Sequence, residues 1–287
     1  MNPVMKTLIL FFFLLPFSLF GNWLSFRGDA GNGSIPDKLS PNVGTAGKTS
    51  WRIDLPGRGL SSPIVVGNLV FLTASSGPKE ETLHIMAFEA KKGKKAWERK
   101  FKATGRTVCH EKTCVAAPTM SSDGKLVVAQ FSSNDVFCLD LKGNLKWLRG
   151  LTYDYPNAAN GLGMSSSPVI VGEVVIAQVE NDAESFTAGL SLANGSTLWK
   201  KERPRGANWT SPAVIGKGGS QQVLLQSMKG LAMIDPKNGN PQEWAQRCCH
   251  TTAYGASSMR ATRACARRAA RGAAQARGTW PRVRTGS

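Results

Sequence analysis

The chain has 287 residues, 41% of them hydrophobic, and a formal net charge of +17 from 36 Lys and Arg against 19 Asp and Glu. That apolar content excludes a disordered chain and a multi-span membrane protein, and it suffices for one large domain or two small ones. The charge alone would point to nucleic acid or an anionic surface, so its distribution decides what it means.

The chain opens on Lys6 and an apolar run of about 13 residues, Leu8 to Phe20, shorter than the roughly 20 a spanning helix needs. Residues 1–21 are therefore expected to be a secretory signal peptide, with an uncleaved anchor as the other reading. The expected location is periplasmic or otherwise extracytoplasmic, and membrane contact is expected only through this segment. Residues 22–46 form an extended lead-in. In an oxidising compartment, Cys109 and Cys114, five apart in a polar loop, are candidates for a local disulfide. Cys109-His110 with Cys114 lacks the second ligand pair of a zinc finger. Cys138, within Asp135-Val136-Phe137-Cys138-Leu139, reads as a small core residue.

Residues 47–244 repeat. Each unit opens on a small-small-Pro step and an apolar run: Ser61-Ser62-Pro63, Ala116-Ala117-Pro118, Ser166-Ser167-Pro168 and Thr210-Ser211-Pro212, the prolines spaced 55, 50 and 44 residues apart. Second runs follow at Leu69–Thr73, Leu126–Gln130, Val174–Val179 and Val223–Gln226. Third runs follow at Leu83–Phe88, Asp135–Leu139, Phe186–Leu190 and Gly230–Ile234. Val-, Ile-, Leu- and Phe-rich runs bounded by Gly, Asn, Asp and Ser are strands joined by tight turns. Each unit closes on a Gly and a Trp: Gly93/Trp97, Gly143/Trp147, Gly195/Trp199 and Gly239/Trp244, with Gly47/Trp51 an earlier partial copy. A Trp at a fixed place in successive four-stranded sheets can bury against the neighbouring sheet. The expected fold is all-β, a β-propeller of four-stranded antiparallel blades.

The spacing apolar/small-x-acidic-x-x-x-Gly-x-x-x-Trp, as Ala87, Glu89, Gly93 and Trp97, resembles the tryptophan-docking repeat of the pyrroloquinoline-quinone-like (PQQ-like) propellers. The later units vary it: Cys138, Asp140, Gly143, Trp147 is one residue short, Gly189 and Ser191 replace the first two positions in the third, and Met233, Asp235, Gly239, Trp244 has one residue extra. The opening Trp23-Leu24-Ser25-Phe26-Arg27-Gly28 resembles the start of exported bacterial members similar to the BamB-type outer-membrane-protein assembly factor. The resemblance covers roughly residues 22–244 and implies a ring of seven or eight blades. Four blades and a partial one are legible, so an incomplete ring is expected, a small closed ring being the alternative.

The resemblance also raises a quinone-dependent dehydrogenase, whose relatives use an adjacent-cysteine disulfide, calcium and a catalytic Asp. Cys248-Cys249 lies outside any blade, and neither a Cys-x-x-Cys-His haem site nor a calcium-loop spacing is present. No catalytic, metal or cofactor residues are assigned, and PQQ is not expected despite the family name. His84, in a strand, reads as a satisfied or surface histidine. A propeller's connectors from one blade to the next emerge on one face, and here they carry Arg58, His110, Glu111, Tyr153, Tyr155, Asn157, Asn160, Arg205, Asn208 and Trp209. Such side chains suit a protein, peptide or glycan ligand; ordinary solvated loops are the other reading.

Residues 245–287 break the pattern. They hold nine Arg, eleven Ala and three Cys and no Lys, Asp or Glu, with neither apolar period. Translation from a different reading frame or a mis-joined gene end accounts best for that joint change; a solvated extension and a basic arm are the other readings. This tail carries +9 of the +17, so nucleic acid is not expected. The sequence points to an exported, non-enzymatic propeller scaffold, truncated, with a fragment of a quinone- or metal-dependent propeller enzyme as the alternative.

Overall fold

The computed structural model describes residues 22–28, 31, 33–34, 49–158, 161–216 and 218–242. The expected signal peptide, Gly47, Asn160, Trp244, the cysteine pair 248–249 and the Arg-rich tail lie outside the described residues.

Each repeat folds into its own antiparallel sheet with strands in chain order. The first blade is β1 (Ile64–Val66), β2 (Leu69–Ser76), β3 (Thr82–Glu89) and β4 (Lys95–Lys102). The second is β5 (Ser121–Ser122), β6 (Leu126–Gln130), β7 (Asp135–Asp140) and β8 (Leu145–Gly150), followed by the short helix α1 (Leu151–Asp154). The third is β9 (Val169–Val171), β10 (Val174–Val179), β11 (Phe186–Ser191) and β12 (Thr197–Glu202). The fourth shows β13 (Ala213–Ile215), β14 (Gln222–Ser227) and β15 (Gly230–Ile234). Beside β15, Pro241 forms an isolated bridge with Ile234, and the Gln242 N–H donates to the Met233 carbonyl at 2.9 Å.

One unit departs from the sequence pattern. Pro63, Pro168 and Pro212 stand immediately before β1, β9 and β13, but Pro118 stands three residues ahead of β5. The proline, not the strand, is out of register: two residues ahead of β5, in the place that Ser62, Ser167 and Ser211 hold ahead of β1, β9 and β13, stands Thr119. Its Oγ1 accepts from the Ser62 N–H at 2.9 Å, and its own N–H donates to Ser167 Oγ at 3.0 Å. The Ser167 N–H then donates to Ser211 Oγ at 2.9 Å. A chain of hydroxyl bridges thus links all four blades near their innermost strands.

Apolar side chains fill the spaces between blades. Phe71, Ile85, Val127 and Phe137 pack between the first and second, Val128, Val175 and Phe186 between the second and third, and Ile176, Val223 and Ile234 between the third and fourth. The recurrent Trp crosses these spaces. Trp51, Trp97, Trp147 and Trp199 each lie under the glycine of the following unit, so that a Cβ on Gly93, Gly143, Gly195 or Gly239 would come within 2.5–2.7 Å of the ring. Each indole N–H donates into the same turn, to the carbonyls of Ala90, Leu141, Leu192 and Pro236 at 2.8–2.9 Å. The Gly and Trp that are neighbours in sequence are therefore partners of different blades. On its own sheet each Trp faces a small residue at a register shift: Ala87 opposite Trp97, Cys138 opposite Trp147, Gly189 opposite Trp199. The small position of the repeat is small because the indole lies across it. Trp23 repeats the theme locally, since a Cβ on Gly28 would sit 2.7 Å from its ring.

The docking predicts unequal costs for two substitutions at one position. Trp147→Ala should lower unfolding free energy by about 3–5 kcal/mol through the cavity it leaves. Trp147→Phe should cost about 1–3 kcal/mol, mainly by stranding the buried Leu192 carbonyl. Urea unfolding followed by tryptophan fluorescence and circular dichroism measures both.

Candidate ligand-binding face

The connectors between blades lie at the same end of the sheets as the loops between second and third strands, and hydrogen bonds stitch them into one surface. The Arg58 guanidinium donates to Glu80 Oε1 at 2.8 Å and to the Glu111 carbonyl at 2.7 Å. Glu80 adopts φ 54° and uses Oε2 to accept from Ser75 Oγ at 2.7 Å and from the Val115 N–H at 2.8 Å. One carboxylate therefore ties the first connector to the second. The His110 N–H donates to the Leu162 carbonyl at 2.9 Å, joining the second connector to the third. Trp209 Nε1 donates to the Gly163 carbonyl at 3.0 Å, and Ser165 Oγ donates to the Trp209 carbonyl at 3.2 Å, joining the third to the fourth.

Arg58, His110, Glu111 and Trp209 thus lie along one continuous strip. Arg205 and Asn157 are exposed on the same set of connectors, and Tyr153 is exposed on α1. Two expected face residues are used otherwise. Tyr155 packs its ring 4.8 Å from Phe186, with the Lys200 ammonium 4.2 Å above it. Asn208 is buried, its Nδ2 donating to Glu180 Oε2 at 2.8 Å and to the Gln226 carbonyl at 2.6 Å. Glu180 also accepts from Arg203 Nε at 2.9 Å, in an ion pair whose side chains are 1% and 9% exposed. This pair and Asn208 brace the last connector from beneath.

Beside Trp209, the strip carries three apolar residues that the repeat pattern gave no reason to single out. Leu60 is 57%, Val108 48%, Leu162 47% and Trp209 45% exposed. The backbones of Leu60, Leu162 and Trp209 are tied to neighbouring connectors, that of Leu60 by its N–H donating to the Ala116 carbonyl at 3.3 Å, so large apolar side chains are held in water beside Arg58 and His110. Their signal in sequence is an apolar residue inside a Gly/Ser-rich connector, where no strand requires it.

The local disulfide expected in the second connector is not formed. Cys109, Cys114 and Cys138 are free thiols. Cys114 is buried in the core between the first two blades, and Cys109 packs against the edge of the same core beside Gly163, both as free thiols. Burial raises all three thiol pKa values, that of Cys138 to about 12 with help from the nearby Asp123 and Asp140 carboxylates.

Two acidic groups near the connector end are strongly coupled to their surroundings. Asp135 is buried, and desolvation raises its pKa, against hydrogen bonds from Ser133 Oγ at 2.6 Å and the Thr104 N–H at 3.0 Å. Glu98 is held below the usual carboxylate value first by its bond from Lys95, at 2.7 Å, and also by His84. His84 is buried across three strands, with Nε2 2.7 Å from Ser76 Oγ and Nδ1 2.8 Å from Glu98 Oε1. Because Glu98 is shared with Lys95 and the ring is 3% exposed, this chain of bonds is a cross-strand clamp.

The family model described as outer membrane protein assembly factor BamB matches residues 42–178. Over those residues the chain resembles the PQQ-like propeller repeat proteins. Among solved structures it resembles quinohemoprotein alcohol dehydrogenase from Comamonas testosteroni at 14% identity and TM-score 0.55, over 77% of this chain and 40% of that one. It also matches BamB from Moraxella catarrhalis at 16% identity and TM-score 0.43, over 65% of this chain and 49% of that one. The chain therefore spans at most about half of either structure, and at these identities the likeness concerns the fold. No curated protein matches the chain.

The family name implies a quinone, held in related dehydrogenases by adjacent cysteines and calcium. Among the described residues the three cysteines are separate in sequence, and no three His, Cys, Asp or Glu side chains gather to hold a metal. The chain's one adjacent-cysteine pair, Cys248 and Cys249, lies outside the described residues.

The Glu98 geometry fixes a sign for pH dependence. Its folded pKa lies below the ordinary glutamate value of 4.5, so the stabilisation is present above that value and lost as pH falls through the folded pKa. Glu98→Gln should flatten the acid limb of stability below about pH 4.5, read as the urea midpoint from about pH 2 to 6. An acid limb as steep as that of the unaltered chain would remove Glu98 from the explanation.

Proposed function

We propose that the chain acts as an exported, non-enzymatic propeller scaffold whose connector face binds a protein partner, in the manner of an outer-membrane-protein assembly factor. The observation that carries this reading is the strip of exposed Leu60, Val108, Leu162 and Trp209 set among Arg58, His110 and Glu111 on hydrogen-bonded connectors. Apolar and aromatic anchors rimmed by charge, on a backbone already fixed, are what protein recognition requires, because little ordering entropy remains to be lost on binding. The family description supports the class of partner, and the apolar run Leu8–Phe20 supports export.

Immobilised segments of exported outer-membrane β-barrel proteins provide the test. Trp209→Ala and Leu162→Ala should each weaken capture about tenfold or more, the usual effect of removing a central apolar anchor. Tyr155→Ala should lower stability through its lost contact with Phe186 and leave capture by the folded protein intact. Equal capture by the Trp209, Leu162 and unaltered proteins would overturn the reading.

A further inference from the structure

The innermost strand of each blade has one edge paired to its own sheet and one edge turned inward. In the first blade that inward edge is occupied. The Trp23 N–H donates to the Val65 carbonyl and the Val65 N–H to the Trp23 carbonyl, both at 2.9 Å. The next carbonyl, that of Leu24, accepts from the Ser122 N–H at 2.8 Å on the second blade. Asn22 Oδ1 accepts from the Gly67 N–H at 3.0 Å. Asn22-Trp23-Leu24 is therefore an extended strand laid between β1 and β5. Its main chain takes the edge, and its first side chain caps the turn that follows.

The third blade reproduces the receiving half of this arrangement. β9 pairs with β10 in the same three-residue register as β1 with β2: Val169 opposite Ile176, Ile170 opposite Val175, Val171 opposite Val174. The central residue, Ile170, holds the place of Val65, so its N–H and carbonyl point inward. Neither makes a backbone hydrogen bond outside its own sheet among the described residues. Gly172 holds the place of Gly67 with nearly the same backbone, φ 59° against 58°. Gly172 also borders a cavity of about 540 Å³ lined by Glu173, Gln222, Asp235, Lys237 and Gln242. An edge N–H and carbonyl, a turn amide able to take a side-chain acceptor, and adjoining open space form a ready template for strand addition.

We propose that the inward edge of β9 binds an extended polypeptide of a partner protein, with the ligand's main chain paired to Ile170 and an Asn or Asp side chain on the Gly172 amide. The favoured ligand is a segment of the type Asn/Asp–aromatic–apolar in extended form. This site is separate from the connector face and does not depend on it.

The test uses the full chain and a fluorescein-labelled peptide, Asn-Trp-Leu-Ser-Phe-Arg-Gly, followed by fluorescence anisotropy. Ile170→Pro removes the inward N–H, and an edge position whose N–H serves no ladder bond tolerates proline. The expected result is saturable binding that Ile170→Pro weakens at least tenfold, with the Trp209→Ala protein binding as the unaltered chain does. A peptide N-methylated at its Trp should lose binding to the unaltered protein, which keeps the test decisive if the proline variant fails to fold. No binding, or binding indifferent to Ile170→Pro and to N-methylation, would overturn the proposal. So would peptide binding that appears only after residues 35–48 are deleted, or concentration-dependent self-association in place of peptide binding. Each of these outcomes leaves the connector-face reading to its own variants.

Discussion

The structure depends on one contact, an indole ring laid under the glycine of the next blade. Each Trp buries a large ring and places its only polar side-chain atom on a carbonyl of the glycine's turn, so the indole itself strands no hydrogen-bond donor. The glycine is required twice over. Its backbone lies in the left-handed region, φ 67–82° at Gly93, Gly143, Gly195 and Gly239, and a side chain there would strike the ring. Because donor and acceptor belong to successive repeats, each blade is completed by the next, as in other repeat arrays.

From this contact the connector face follows. Blades held at a fixed relation bring their connectors side by side, close enough for Glu80 to bridge the first and second, His110 and Leu162 the second and third, and Trp209 and Gly163 the third and fourth. In the buried Glu180–Arg203 pair, Asn208 donates to the second carboxylate oxygen, so both oxygens of the buried Glu180 charge are paired. The result is a surface whose apolar residues are exposed by a rigid backbone.

The blades were legible in the sequence because local turn chemistry and period-two runs are local properties, and the repeat multiplies them fourfold. The Trp–Gly pairing was legible as a spacing, but its true partners were hidden. Proximity along the chain pairs Gly143 with Trp147, whereas packing pairs Gly143 with Trp97. The same limit explains the face. Whether Asn208 points outward depends on Glu180, 28 residues away, and whether Tyr155 does depends on Phe186 in another strand. Pro118 likewise falls out of register with the other three prolines, because Thr119 takes the bridging place between Ser62 and Ser167. A disulfide inferred from spacing fails for a related reason, since the direction of each Cβ, set by neighbouring connectors, governs pairing.

The most direct test of the account is a double-mutant cycle between Trp147 and Gly195, measured by urea unfolding. Gly172→Ala, at a left-handed glycine with open space around it, gives the backbone cost alone. If the ring-on-glycine contact governs the array, Gly195→Ala will cost clearly more than Gly172→Ala in the unaltered chain, and the excess will vanish once Trp147 is alanine, a coupling of about 1–3 kcal/mol. Additive effects, with Gly195→Ala costing the same whether or not Trp147 is present, would contradict it.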